Sequence, residues 1–243
     1  MFKELLTPDK DPMGAAIEEY YRTGKAGKLR VLSSMFEEDE ISVKHLFRAE
    51  NDMSPIEREA LNLAKGHILD VGAGSGCHAL TLQEQGKGVK AIDISPLSVS
   101  VMQKRGLKDV SQQNFFSPQF TGQFDTVLML MNGSGIIGRI DNLVMFFDKL
   151  KQILSPNGFL LMDSSDLRYL FENEDGSYDI DLNAGYYGEV DFKMKYRTIE
   201  GNSFDWLYID PQTLEYYANE SGFKVTIITE GEHYDYLAKI ERI

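Results

Sequence analysis

The sequence predicts an α/β fold, a mostly parallel sheet with helices on both faces, and three observations predict it. From residue 67 onward, apolar strand-like runs alternate with helical stretches, the order that βαβ units require. The first run, HILDV at 67–71, leaves through glycines at 72, 74 and 76, a turn that lets a ligand lie against main chain at the carboxyl edge of a sheet. The last two runs, FKVTIIT at 223–229 and YDYLAKI at 234–240, are joined too briefly for a crossover helix and should pair antiparallel.

Each element has its own signal. Residues 13–66 read as helices, the last of them started by Ser54 as N-cap, Pro55 at the first helical position and Glu57 able to close a capping box. After HILDV comes a helical CHALTLQEQ ending at Gly86, then strand VKAID, then a helix opened by Ser95 and Pro96 and stopped near Gly106. A short strand near DVSQQ, the apolar run FDTVLMLM, the helical DNLVMFFDKLKQIL, a turn at SPNG and strand FLLMD continue the alternation. Between 163 and 191 nine acids stand against Arg168, a net of −8, a composition that suits a solvated flap. FKMKYR at 192–197 then alternates as a strand with one wet face, and helix PQTLEYYANESG follows. The expected organisation is one compact unit: an N-terminal helical extension or lid over 1–66, a ligand-binding domain over 67–243, and an insertion at about 166–210.

Composition narrows the partners. With 243 residues, 42% of them hydrophobic, the chain can bury a sizeable core. A formal charge of −13 repels phosphate backbones and anionic membranes, which argues against nucleic acid or a membrane surface as partner. Cys77 is the single cysteine, so no internal disulfide forms and a reducing compartment fits. The start, MFKELLTPDKDPMG, lacks the apolar stretch of a signal peptide, and a cytoplasmic location is the expectation. His45, His67 and His233 are scattered and give no metal-ligand spacing.

The glycine turn selects the ligand. A dinucleotide fingerprint needs its third glycine three residues after the second, where this chain has Cys77; the spacing here is G-x-G-x-G. Asp70, two residues ahead of Gly72, would repel a pyrophosphate but suits a ligand bearing an ammonium group and a sulfonium. S-adenosyl-L-methionine is such a ligand. At this point the sequence resembles the class I S-adenosylmethionine-dependent methyltransferases: DVGAGSG is similar to their first motif, AIDIS to their second-strand motif with its acidic end, and FDTVLMLMNG to the fourth-strand motif, over roughly residues 60–165.

The resemblance implies a Rossmann-like fold with a mostly parallel seven-stranded sheet, an N-terminal helical extension and an inserted β-hairpin after the fifth strand. It implies that Gly72, Ala73, Gly74 and Gly76 line the methionine part of the cofactor and that Asp70 reaches its amino group. Asp93 would hold the ribose hydroxyls, with Ile94 on the adenine. Asn114 and Phe115 stand where the family holds the adenine amine, though Asn114 reads equally as a turn residue. Met131 and Asn132 would lie under the methyl group.

The fourth-strand motif reads MNGSG, unlike the NPPY-type motif of enzymes acting on nucleobases or glutamine, so the expected acceptor is a small molecule methylated at oxygen or nitrogen. No residue declares itself a base. Lid and acceptor candidates are Tyr20, Tyr21 and Arg48 in the N-terminal part and Tyr186, Tyr187, Arg197 and Trp206 in the insertion, where aromatic rings could exclude water. On this reading the first fifty residues serve the acceptor, and cofactor binding should survive their removal. An NAD-dependent dehydrogenase and an idle cofactor-binding module are the alternatives.

Overall fold

The computed structural model describes residues 4–180 and 185–243. Chain order begins with α1 (Pro12–Thr23), β1 (Leu29–Leu32), β2 (Asp39–Ile41) and α2 (Pro55–Leu63). Then come β3 (His67–Val71), α3 (Cys77–Glu84), β4 (Gly88–Asp93), α4 (Pro96–Lys104), β5 (Asp109–Gln112), β6 (Phe124–Met129), α5 (Leu143–Ile153) and β7 (Leu154–Ser165). The insertion supplies β8 (Glu189–Tyr196), β9 (Ile199–Glu200) and β10 (Phe204–Leu207), and the chain closes with α6 (Pro211–Glu220), β11 (Phe223–Glu230) and β12 (Asp235–Arg242).

The main sheet has seven strands in the order β11-β12-β7-β6-β3-β4-β5. Its pairs from β7 to β5 are parallel, and β12 runs antiparallel to both neighbours, as the short connection before it demands. Strand alternation sends Leu69, Val127, Met129 and Leu160 into a core beneath α5 and α6, and Ile68, Leu128 and Leu161 into a second core beneath α2, α3 and α4. Helices therefore cover both faces. The strand order reverses between β3 and β6, which opens a crevice at their carboxyl ends, the place where open α/β sheets take ligands.

Two expectations need correction. Residues 13–66 are not helical throughout: the capping box at Ser54 and Glu57 forms and starts α2, but β1 and β2 lie between the helices. These strands join the insertion, since β1 pairs antiparallel with β8 and with β2, giving a second sheet ordered β10-β8-β1-β2 with β9 on β8. The N-terminal part and the inserted hairpin thus form one sheet whose alternating rows find apolar cover in Ala16, Val43 and Tyr20.

The SPNG segment is not a turn before a separate strand. It lies inside β7 as an irregularity, with Leu154 facing Phe124 and Phe159 facing Thr126, and the Ser155 hydroxyl, which donates to Asp125 at 2.7 Å, keeps the bulged chain against β6. Of the nine acids counted between 163 and 191, Asp181 lies outside the described residues. No helix among the described residues is long and apolar enough to cross a membrane.

Candidate active site

Residues 72–76 leave β3 through a turn that the sequence could build only with glycine. Gly72, Gly74 and Gly76 all take left-handed angles, with φ of 71°, 56° and 82°. Gly72 has a second reason: a Cβ there would stand 2.9 Å from the Ile136 side chain, which reaches across from the turn after β6. The two loops that flank the crevice therefore touch at this point.

Asp93, at the end of β4, pins the glycine turn. Its carboxylate accepts the Gly74 amide at 2.8 Å and the Ser95 amide at 2.8 Å. Burial, offset by those two amides, raises its pKa to about 6. Ile94 beside it is half-buried, and its carbonyl is bonded by Leu6 and Gln112.

Asp70 shows the strongest sign of a missing partner. It is 2% exposed, and its Oδ2 has no hydrogen-bond partner among the described residues. Burial raises its pKa, with the His78 charge working the other way. A buried carboxylate oxygen without a donor is costly unless a ligand supplies a cation or a hydrogen bond. The ammonium group of S-adenosylmethionine meets that need, so the residues present fit the cofactor.

The loop after β5 is built around Asn114. Its Oδ1 accepts the Phe116 amide at 2.9 Å and its carbonyl accepts the Ser117 amide at 3.0 Å. The Phe115 ring packs in the core, 5.9 Å from the Phe146 ring.

Beyond β6 the backbone is strained. Met131 and Asn132 adopt left-handed angles with φ of 68° and 55°, rare for residues with a Cβ and a recurrent feature of functional sites. Asp163 on β7 sustains them. Its carboxylate accepts the Met131 amide at 3.1 Å and the Gly133 amide at 2.9 Å, and burial raises its pKa to about 6. Sequence reasoning counted Asp163 among a run of surface acids; its position four residues into the apolar FLLMD strand was the available signal. Asn132 is also tied to β7, its Oδ1 accepting the Ser165 hydroxyl at 2.9 Å.

The acceptor candidates separate into two groups. Trp206 packs on the loop that continues the strained turn, and Tyr187 reaches the carboxyl end of β7. The Trp206 indole packs across Gly135, and Ser134 of the same turn donates its hydroxyl to the Leu207 carbonyl at 2.8 Å. Tyr187 donates to Asp166, the residue after Ser165, at 2.8 Å, with Asp210 at 3.2 Å and the Tyr186 ring 4.7 Å away. Burial and the neighbouring Tyr186 push the Tyr187 phenol up, so it keeps its proton and acts as a donor.

The other group is occupied elsewhere. Arg48 is buried, its guanidinium committed to Glu57, to His78 at 3.2 Å and to the His45 carbonyl at 2.9 Å. Arg197 sits on the exposed turn after β8, paired with Glu19. Tyr20 packs at a tilt against Phe47 with centroids 4.8 Å apart, and Tyr21 donates to the Lys104 carbonyl at 3.1 Å. The contacts described for these four lie away from the strained turn.

Comparison with known proteins agrees with this geometry. The family model described as a methyltransferase domain matches residues 69–162. A crystal structure of a S-adenosylmethionine-dependent methyltransferase from Bacteroides fragilis, in complex with S-adenosyl-L-homocysteine, is 62% identical, superposes with a TM-score of 0.93 and covers 98% of each chain. The YqeM protein of Bacillus subtilis (strain 168) is 31% identical over 106 residues, 41% of this chain; the matched stretch spans 42% of that relative's length. The CcbJ methyltransferase from Streptomyces caelestis, at 13% identity and a TM-score of 0.65 over 97% of this chain and 99% of its own, shares the fold. The crevice at the β3 and β6 ends, the unpartnered carboxylate of Asp70 and the whole-chain likeness converge: the chain belongs to the S-adenosylmethionine-dependent methyltransferases.

Proposed function

We propose that the protein methylates an oxygen or nitrogen of a small-molecule acceptor held above the carboxyl ends of β6 and β7. The observation that carries this reading is the strained pair Met131 and Asn132, held by Asp163 in the crevice, with Trp206 packed on the loop that follows. Gly72, Ala73, Gly74 and Gly76 with Asp70 would hold the amino-acid end of S-adenosylmethionine, and Asp93 with Ile94 the nucleoside end. When bound, that cofactor supplies a methyl group on a positively charged sulfur.

The chain's own residues then have three tasks. Asp70 binds and orients a cation at the floor of the crevice. Trp206 and Tyr187 exclude water and shape the acceptor pocket, the Tyr187 hydroxyl being anchored on Asp166. The rigid Met131–Asn132 turn fixes the acceptor's approach, and positioning of this kind supplies a large share of the acceleration for an already activated group. The net acidic charge favours a neutral or cationic acceptor over an anionic one.

Calorimetry tests the cofactor part: S-adenosylhomocysteine should bind and NAD should not. For the acceptor part, a panel of amines, alcohols and phenols assayed with radiolabelled S-adenosylmethionine should show turnover that Asn132→Ala lowers while cofactor affinity stays within about threefold. Turnover on nucleic acid or protein alone would remove the small-molecule reading.

A further inference from the structure

The start of the chain is fastened to the turn that carries Asp93. Leu6 donates its amide to the Ile94 carbonyl at 2.9 Å, and the Gln112 side chain at the end of β5 donates to the Leu6 and Ile94 carbonyls, each at 3.0 Å. Further along, Asp11 is fully buried; its carboxylate accepts the Ser95 hydroxyl at 2.5 Å and the Gly14 amide at 2.8 Å. Ser95 donates its own amide to Asp93, so a continuous chain of hydrogen bonds runs from Asp11 through Ser95 to Asp93.

This attachment is costly, which argues that it serves a purpose. Burial raises the pKa of Asp11, and Asp11 and Asp70 both add to the burial that raises Asp93. Like charges gathered and desolvated in one place are found where a ligand needs them. The close approach also depends on residue 14 being glycine, because a Cβ there would overlap the Asp11 carboxylate and the Ser95 hydroxyl. Between this strap and the loop after β5 lies a cavity of about 320 Å³, with Leu5 on one wall and Gln113, Asn114 and Phe116 on the other. Leu5, 48% exposed, has an apolar side chain facing a slot beside the expected nucleoside end of the cofactor.

We infer that residues 4–14 are part of the cofactor site: Leu5 walls the adenine end beside Asn114, and Asp11, acting through Ser95, positions the Asp93 turn for the ribose. The inference rests on the reading of Asp93 as the ribose acid. It extends the expectation that the first fifty residues serve the acceptor, because the strap touches the nucleoside turn.

Two ligands separate the ends of the site. S-adenosylhomocysteine has both an amino-acid end and an adenosine end; 5′-methylthioadenosine has only the second. In full-length protein, Leu5→Asp and Gln112→Ala should weaken both ligands by the same factor, about tenfold for a lost wall or a lost pair of hydrogen bonds. Asp11→Ala should do the same, and Asp11→Asn should restore most of the affinity, since an amide keeps an acceptor for Gly14 and a polar partner for Ser95. Unchanged or tighter binding in folded Leu5→Asp and Gln112→Ala would overturn the inference, as would a loss confined to S-adenosylhomocysteine. Asp93→Ala, measured alongside, distinguishes the two failures. Weakening by Asp93→Ala with no effect of the strap variants removes the strap alone; no effect of Asp93→Ala removes the ribose reading and the Asp11 role with it.

Discussion

Asp93 accepts the Gly74 amide at 2.8 Å, so the acid that closes β4 is also the peg that holds the glycine turn of β3 in shape. A carboxylate offers about four acceptor sites, and two are taken by Gly74 and Ser95. The remainder can serve a diol. Asp93→Ala should weaken S-adenosylhomocysteine roughly ten- to a hundredfold, the equivalent of about 1.5 to 3 kcal/mol for a charged acceptor. Titration calorimetry on protein with an unchanged circular dichroism spectrum checks this.

Asp70 should trade stability for binding. Its unpartnered Oδ2 is a liability in the ligand-free protein. Asp70→Asn removes the buried charge, so the ligand-free variant should melt higher, by about 1 kcal/mol of added stability, while its affinity for S-adenosylhomocysteine drops about tenfold or more. A lower melting temperature together with full affinity would show that the oxygen already has a partner.

The pH profile of stability should have a maximum on the acid side of neutrality. Asp93 and Asp163 titrate at about 6 in the fold against an ordinary 3.8, so they bind protons more readily folded than unfolded. Their contribution is fully present below 3.8 and is lost as pH rises through about 6. Glu57 acts in the opposite sense. Burial alone would push it up, but hydrogen bonds from His78 and Arg48 hold it well below the ordinary 4.5, so its contribution is lost as pH falls beneath that value. Urea unfolding of ligand-free protein from pH 4 to 8 should place the maximum between about 4.5 and 6.

Removing the Glu57 carboxylate should be severe. Arg48 and His78 are both buried around it, at 6% and 5% exposure, and Glu57→Ala leaves a buried guanidinium without its counter-charge. The expected loss is about 3 to 5 kcal/mol, read from the denaturation midpoint. Glu57→Gln, which keeps an acceptor, should lose less.

Asp163→Ala should release the strained turn. Two main-chain donors, on Met131 and Gly133, lose their acceptor, while the cost of burying a charge disappears. The net destabilisation should be about 2 kcal/mol. Turnover should fall much further than cofactor affinity, because the change lies at the Met131–Asn132 end of the crevice.

The central motifs were legible because their signals are local. HILDV becomes β3 with the bounds read from the sequence, Ser54 and Glu57 close their box, and Ser95 caps α4 as its place before Pro96 suggested. What escaped depended on distant partners. LRVL and DEI are too short to announce strands; LRVL becomes one by meeting β8, where Val31 faces Met194, and DEI by pairing in turn with LRVL. Arg48 looked available to an acceptor because nothing in its neighbourhood shows that Glu57 and His78 will enclose it. Asp163 looked like one more surface acid because its two amide partners belong to a loop thirty residues earlier.

The sheet that joins β1 to β8 also dictates an order of assembly. Leu29 must find Tyr196, and Leu32 must find Lys193, across the whole parallel part of the main sheet. Closing so large a loop is entropically expensive until the intervening parallel strands have condensed and drawn its ends together. Pairing of β3 to β7 should therefore precede the β1–β8 ladder in refolding. The wall bearing Trp206 is built on that ladder through β10, so its amides should exchange hydrogen faster than those of β3 or β6.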